Sequence, residues 1–235
     1  MNSPDDLRPE AQIETPSENE APQLTFELTD KVAGSDNSAD AISESISALR
    51  VHLDAQHLRN RRRGLAVCGP AEGAGASFVA ANLAVSMARA GVKTLLIDAD
   101  LRKPTIHRYI RPSHEVPGLK QALQSDSLPF SEIIHPVLPS LSVIFSGGKA
   151  NDAAQLLASD RLEDLFRLCV RDYDLTIVDT APANKYADGR LVASLIRYAM
   201  IVVRRDHSFV ADLKTVVAEM ESDSVQVIGN FLNDY

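Results

Sequence analysis

The sequence predicts a doubly wound α/β fold: a parallel sheet with helices on both faces. Three observations carry that expectation. Short apolar runs recur at Leu65–Cys68, Thr94–Ile97, Leu141–Phe145, Leu175–Val178, Ala199–Val203 and Val225–Leu232. Strands without in–out alternation are buried on both faces, as in parallel sheets. Helix-forming segments separate most of these runs. Finally, the first run leads into a glycine-rich loop, and the next-but-one element ends in Asp98-Ala99-Asp100. In such sheets ligands collect at the carboxyl ends of the strands.

The elements follow in order. Residues 1–40 are rich in Pro, Ser, Glu and Asp, which predicts a disordered acidic tail. Within it, Leu24-Thr25-Phe26-Glu27-Leu28 reads as a few apolar residues in a tail in preference to a short docking strand. A single domain is expected over 41–235. Ile42, Ile46, Leu49 and Leu53 recur at helical spacing. Arg59-Asn60-Arg61-Arg62-Arg63 follows, and reads as a solvated helix end in preference to a face for anionic lipid. Helices are then expected over Phe78–Ala90, Gly118–Ser125, within Asp152–Val170, over Gly189–Arg197 and over Phe209–Glu221. No internal repeat is present.

Composition narrows the function classes. The chain has 235 residues and a net charge of −8. Residues 1–40 hold ten of the 32 acids and two of the 24 bases, so the remainder is charge-balanced at 22 of each. A neutral domain with an acidic tail argues against a general nucleic-acid binder. Cys68 and Cys169 read as small core residues in a reducing cytosol. The amino-terminal sequence has no signal-peptide pattern, and no segment reaches the roughly 18–20 apolar residues that span a bilayer. The expectation is a cytoplasmic protein recruited to the inner face of the plasma membrane.

The chemistry gathers at three strand ends. The loop Gly69-Pro70-Ala71-Glu72-Gly73-Ala74-Gly75-Ala76-Ser77 sits where a phosphate-binding loop belongs. Successive amides and a helix N-terminus make an anion cradle there. The strict pattern G-x-x-x-x-G-K-[ST] is met poorly, because Pro70 holds the first position and Ala76 the lysine position. Gly73, Ala74, Gly75, Ala76, Ser77 and Phe78 are the expected nucleotide contacts. At Asp98 and Asp100, one carboxylate suits a Mg²⁺ ion or a proton to be abstracted, and the other suits a turn cap. Thr176-Ile177-Val178-Asp179 places a third carboxylate after an apolar strand, as nucleotide-hydrolysing folds do. Ser77, Asp98 and Asp179 are the expected metal set, and Asp98 and Asp100 the expected catalytic pair. A nucleotide and Mg²⁺ are the groups these residues suit, weakly held or lost without the lysine.

From Glu44 to Asn233 the chain resembles the bacterial tyrosine-kinase family, the cytoplasmic ATP-binding partners of membrane polysaccharide co-polymerases. The glycine loop with Ala80-Ala81-Asn82-Leu83-Ala84 resembles the family's first Walker motif. Leu95 to Pro104, followed by His107, resembles its second aspartate motif, and Ile177-Val178-Asp179-Thr180 its Walker B. Gly118-Leu119, Leu156-Leu157-Ala158-Ser159, Ala187-Asp188 and Leu232-Asn233 also fall where the family has similar residues. The resemblance implies a P-loop NTPase-like fold and an ATP–Mg²⁺ site that phosphorylates tyrosines on a neighbouring subunit. It also implies a ring assembly serving capsule or exopolysaccharide export and chain-length control.

The chain departs from that family at three places. Ala76 removes the lysine that reaches the β- and γ-phosphates. The closing tyrosine cluster is reduced to Tyr235; Tyr198 and Tyr235 are the remaining modification candidates, and Tyr109, Tyr173 and Tyr186 read as core or surface aromatics. The ring-forming Glu-x-x-Arg-x-x-Arg pattern keeps Glu44 and Arg50 but has Ser47 in its middle, which weakens a homo-oligomer contact. Arg102 and Lys103 are the nearest substitute cations. The leading expectation is therefore a partner of a membrane polysaccharide co-polymerase with weak or absent kinase activity. An active tyrosine autokinase is the alternative. A ParA-type partitioning ATPase fits less well, because its extra loop lysine, expected near Ala71, is missing too.

Overall fold

The computed structural model describes residues 24–32 and 40–234. Strands are β1 (Phe26–Leu28), β2 (Gly64–Cys68), β3 (Thr94–Asp98), β4 (Ile110–Pro112), β5 (His135–Leu138), β6 (Leu141–Ile144), β7 (Leu175–Asp179), β8 (Tyr198–Arg204) and β9 (Gln226–Asn233). Helices are α1 (Asp40–Gln56), α2 (Ala76–Arg89), α3 (Leu119–Gln124), α4 (Ala153–Leu157), α5 (Asp160–Asp172), α6 (Asp188–Ile196) and α7 (Val210–Ser222).

Seven strands form the main sheet in the order β5-β6-β3-β7-β2-β8-β9. All neighbours are parallel except β5, which pairs antiparallel with β6. The all-parallel expectation is corrected at that edge. Pro139-Ser140 turns the chain straight back, so β5 and β6 form a hairpin instead of a crossover. The β2, β3 and β7 strands are wholly buried, as their unalternating sequences require.

Alternate side chains sort to the two faces. Leu65, Val67, Leu96, Ile177 and Met200 pack with α1 and α2. Leu95, Ile97, Ile144 and Val178 pack with α3 to α6, and Ala66, Cys68, Ala199 and Ile201 pack near α6 and α7. Cys68 and Cys169 are both buried free thiols, pushed up to about 12, chiefly by burial. The segment Asp152–Val170 holds two helices, because Ser159 interrupts at the start of α5.

The amino-terminal expectation is corrected over residues 24–32. Phe26–Leu28 pairs antiparallel with Ile110–Pro112 in a small separate sheet. Phe26 stacks on Phe145 at 6.0 Å, and Val32 is fully buried. Apolar residues with a packing surface at hand fold, whatever the composition around them. Residues 1–23 and 33–39 lie outside the described residues, so the rest of the acidic tail does too.

The arginines at 59–63 are put to use within the domain. Arg62 lies 5.0 Å over the Tyr198 ring, Arg63 donates to the Arg171 carbonyl, and Arg59 pairs with Asp54.

Candidate functional site

The sheet order brings the three expected strand ends together. The β7 strand lies between β2 and β3, and register sets Val67 beside Asp179 and Asp179 beside Asp98. The two carboxylates are therefore neighbours on adjacent strands, beneath the glycine loop. Asp98 is 1% exposed and Asp179 is fully buried.

These carboxylates are short of donors. Asp98 Oδ2 accepts the Ile106 amide at 3.2 Å, but Asp98 Oδ1 and both Asp179 oxygens have no hydrogen-bond partner. Burial pushes the Asp98 carboxyl from 3.8 up to about 7, against the Ile106 amide and with help from the Asp100 charge. Asp179 is pushed well above the usual carboxylate range, first by burial and then by Asp98. The Ser77 hydroxyl is near enough to oppose that rise without forming a hydrogen bond of good geometry. Dry, unpaired carboxylates are costly, and a cation between them removes the cost. Among the described residues no three His, Cys, Asp or Glu side chains form a metal cluster. The fit is therefore to an ion that takes one or two carboxylates and completes its shell with phosphate and water, as Mg²⁺ does.

Asp100 is placed differently. Its Oδ1 accepts the Arg102 and Lys103 amides at 3.1 and 2.9 Å, so it caps the turn after β3. Burial raises its carboxyl above the usual range while these two amides hold it down.

The loop has the geometry of an anion cradle. Gly73 and Gly75 take φ of 82° and 91°, a left-handed region that glycine reaches without strain. Gly75 caps α2, so the amides of Ala76, Ser77 and Phe78 at its first turn lack helical acceptors. The ends of β8 and β9 hold the loop through its carbonyls. Asn233 Nδ2 donates to Ala74 at 3.1 Å, and Arg204 Nη1 donates to Gly73 at 3.4 Å. His207 Nε2 lies 2.8 Å from the Glu72 carbonyl. Above the loop is a cavity of about 410 Å³ lined by Gly73–Phe78, Asp100, Arg102, Lys103, Arg108 and Tyr186, among others. All six expected nucleotide contacts and Asp100 line it, whereas Asp98 and Asp179 are buried and are not among its lining residues. Its lining of loop amides at a helix N-terminus suits phosphate groups; Ala76 brings no cation.

Of the cations lining the cavity, Arg102 and Lys103 are engaged, and Arg108 and Lys149 line it as well. Arg102 grips the buried Asp188 with two bonds, of 2.6 and 3.1 Å, and stacks 4.2 Å over Tyr186. Arg102 is therefore not a free substitute for the lysine, and Tyr186, a surface aromatic as expected, lines the cavity. Lys103 and Lys185 both reach Glu72, at 3.7 and 2.8 Å. Sequence reasoning passed over Lys185 and gave Glu72 no role. The only signal was position, since each stands in a turn beside an expected site residue.

Comparison with known proteins follows the same lines. The CbiA family profile, described as the CobQ/CobB/MinD/ParA nucleotide binding domain, matches residues 65–235. The chain is 30% identical over 200 residues to an Acinetobacter johnsonii protein named tyrosine-protein kinase ptk, covering 84% of this chain and 27% of that one. It is 27% identical to the Staphylococcus aureus protein CapB, covering 84% of this chain and 86% of the relative. The chain thus spans about a quarter of the length of the former and most of the latter. Among solved structures, the kinase domain of Escherichia coli tyrosine kinase ETK matches with a TM-score of 0.77 at 28% identity, covering 84% of this chain and 77% of that one.

Proposed function

The chain belongs to the CobQ/CobB/MinD/ParA nucleotide-binding domain family, and on that premise we propose that it is the nucleotide-site partner of a membrane polysaccharide co-polymerase. It has the fold of a bacterial tyrosine-kinase domain. In this reading it docks at the cytoplasmic face of the membrane and regulates exopolysaccharide or capsule assembly, export or chain length. It binds nucleotide weakly and transfers phosphate slowly or not at all.

One observation carries the reading. The cradle, the α2 N-terminus and the dry Asp98–Asp179 pair are all present, while Ala76 stands where the cradle's own cation belongs. Losing one partner of a close charge pair costs about 2–5 kcal/mol. At about 1.4 kcal/mol per decade, a micromolar site falls to tens of micromolar or to millimolar. Losing a transition-state cation costs a further factor of about 10²–10³ in rate. When bound, MgATP supplies the divalent charge and the transferable phosphoryl group. In this chain Asp98, Asp179 and Ser77 would hold the ion, the 73–78 amides would hold phosphate, and Asp100 would fix the turn beside them. Among the described residues no helix is long and apolar enough to cross a membrane, so membrane recruitment needs a partner in this reading. Deleting the gene in its host and measuring polymer yield and length tests the pathway. Unchanged polymer sinks it.

A second reading is favoured by the retained carboxylates: a working tyrosine autokinase. It predicts phosphotyrosine on the purified protein, at Tyr198 or Tyr235, that disappears in Asp98→Asn. Tyr235 lies outside the described residues. Absence of phosphotyrosine with the partner's cytoplasmic segment present counts against it.

A further inference from the structure

The glycine loop carries a single charged residue, Glu72, and its sign is wrong for a phosphate site. Two lysines converge on it from separate turns. Lys103 follows β3 and stands 3.7 Å from Oε2; Lys185 follows β7 and stands 2.8 Å from Oε1. These are the turns whose strands end in Asp98 and Asp179. Each lysine therefore follows one of the two strands that carry the carboxylate pair and ends on the loop. Glu72 and Lys103 line the cavity directly, and Lys185 adjoins Tyr186 in its wall.

Arg108 and Lys149 also line the cavity, but among the described residues no ion pair joins either to the glycine loop; the other cations are committed elsewhere. Arg102 cannot leave Asp188 without stranding a carboxylate that is 2% exposed. Arg204 and His207 are bonded to loop carbonyls. The lysines are held by an exposed pair, with Lys185 also lying 5.2 Å over the Tyr186 ring: their side chains are 61% and 52% exposed and that of Glu72 is 44%. Pairs of that kind contribute little stability, and a four-carbon lysine stem can re-aim its ammonium. A polyphosphate entering the cradle would repel the Glu72 carboxylate and offer both ammonium groups a denser charge.

We propose that Lys103 and Lys185 are the phosphate-binding cations of this site, held on Glu72 without ligand and transferred to the β- and γ-phosphates of a nucleoside triphosphate when it binds. The inference rests on the reading of the loop as a nucleotide cradle. It assigns the residual affinity of that cradle to two residues outside it.

The test is calorimetric titration of the full chain with MgADP and MgATP. The variants are Lys103→Ala, Lys185→Ala, the double variant, Glu72→Gln, and Arg108→Ala as a second cavity cation. Each lysine loss should weaken binding about tenfold or more, as expected for a charge-assisted hydrogen bond. Glu72→Gln should tighten it, because it removes the competing carboxylate. A merely structural Glu72–lysine contact predicts the reverse sign for Glu72→Gln. Repeating the series on Ala76→Lys should shrink every effect. The proposal is overturned if the lysine variants bind as the wild type does, if Arg108→Ala alone is damaging, or if the wild type shows no binding up to millimolar nucleotide. In that last case, binding by Ala76→Lys leaves the cradle reading intact and removes only the relocated cations. No binding by either removes both.

Discussion

Asp98→Asn should stabilise the metal-free protein, and increasingly so as pH rises. Asp98 is buried, has one unpaired oxygen, and titrates at about 7 instead of 3.8. Its folded pKa is raised, so the folded state holds a proton that the unfolded chain has lost. Its contribution is complete below about pH 4 and is lost as pH climbs through about 7. The displacement spans about three decades, equivalent to about 4 kcal/mol at 1.36 kcal/mol each. About two of those decades lie above pH 5. The stability gap between variant and wild type should therefore widen by about 3 kcal/mol from pH 5 to pH 8, or roughly 6–12 °C in Tm for a domain of this size. Asparagine keeps an acceptor for the Ile106 amide, so little else is lost. Thermal unfolding of both proteins in chelator at the two pH values measures the gap. Millimolar Mg²⁺ with ADP should stabilise the wild type at pH 8 and do less for the variant. A gap independent of pH, or one that narrows as pH rises, would refute the claim that these carboxylates are an unrelieved charge site.

Further predictions concern the frame of the site. Phe26→Ala removes the ring stacked on Phe145 and should cost about 1–3 kcal/mol in urea unfolding; no loss would mean the β1–β4 ribbon contributes nothing to the fold. Gly75→Ala forces a side chain into φ of 91° beside Asn233, and should lower stability by about 1–2 kcal/mol and weaken nucleotide binding together. Binding unchanged in a destabilised Gly75→Ala would separate the loop from the ligand. Arg102→Ala strands the Asp188 carboxylate and should cost about 2–3 kcal/mol, with Arg102→Lys recovering only part because the bond is two-pronged. Full recovery by lysine would show that only charge matters there.

Much of this architecture was legible from residue order. The unalternating strands Leu65–Cys68, Thr94–Ile97 and Leu175–Val178 had to be buried on both faces, with helical segments between most of the runs. Asp98 and Asp179 stood out because a carboxylate at the end of such a strand is expected where ligands collect; the structure sets the two side by side, buried and outside the cavity lining. What escaped was tertiary. The β1 strand is three residues long, and only the surface of β4 and Phe145 makes it a strand. The β5 edge hairpin lacks the spacing for a crossover, but its apolar signal is broken by Pro136. Lys185 and Tyr186 stand in a turn, where neither periodicity nor a motif marks them, and the fold alone brings them to the loop. Arg102 looked free in sequence, because its partner Asp188 is 86 residues away.

The central claim is that an intact nucleotide cradle has lost its principal cation at Ala76. Titration of wild type and Ala76→Lys with MgADP tests it most directly. The account predicts wild-type binding at tens of micromolar or weaker, and a gain of about 30-fold to several-thousandfold on installing the lysine, from about 2–5 kcal/mol. Micromolar or tighter binding by the wild type, left unchanged by Ala76→Lys, would contradict it.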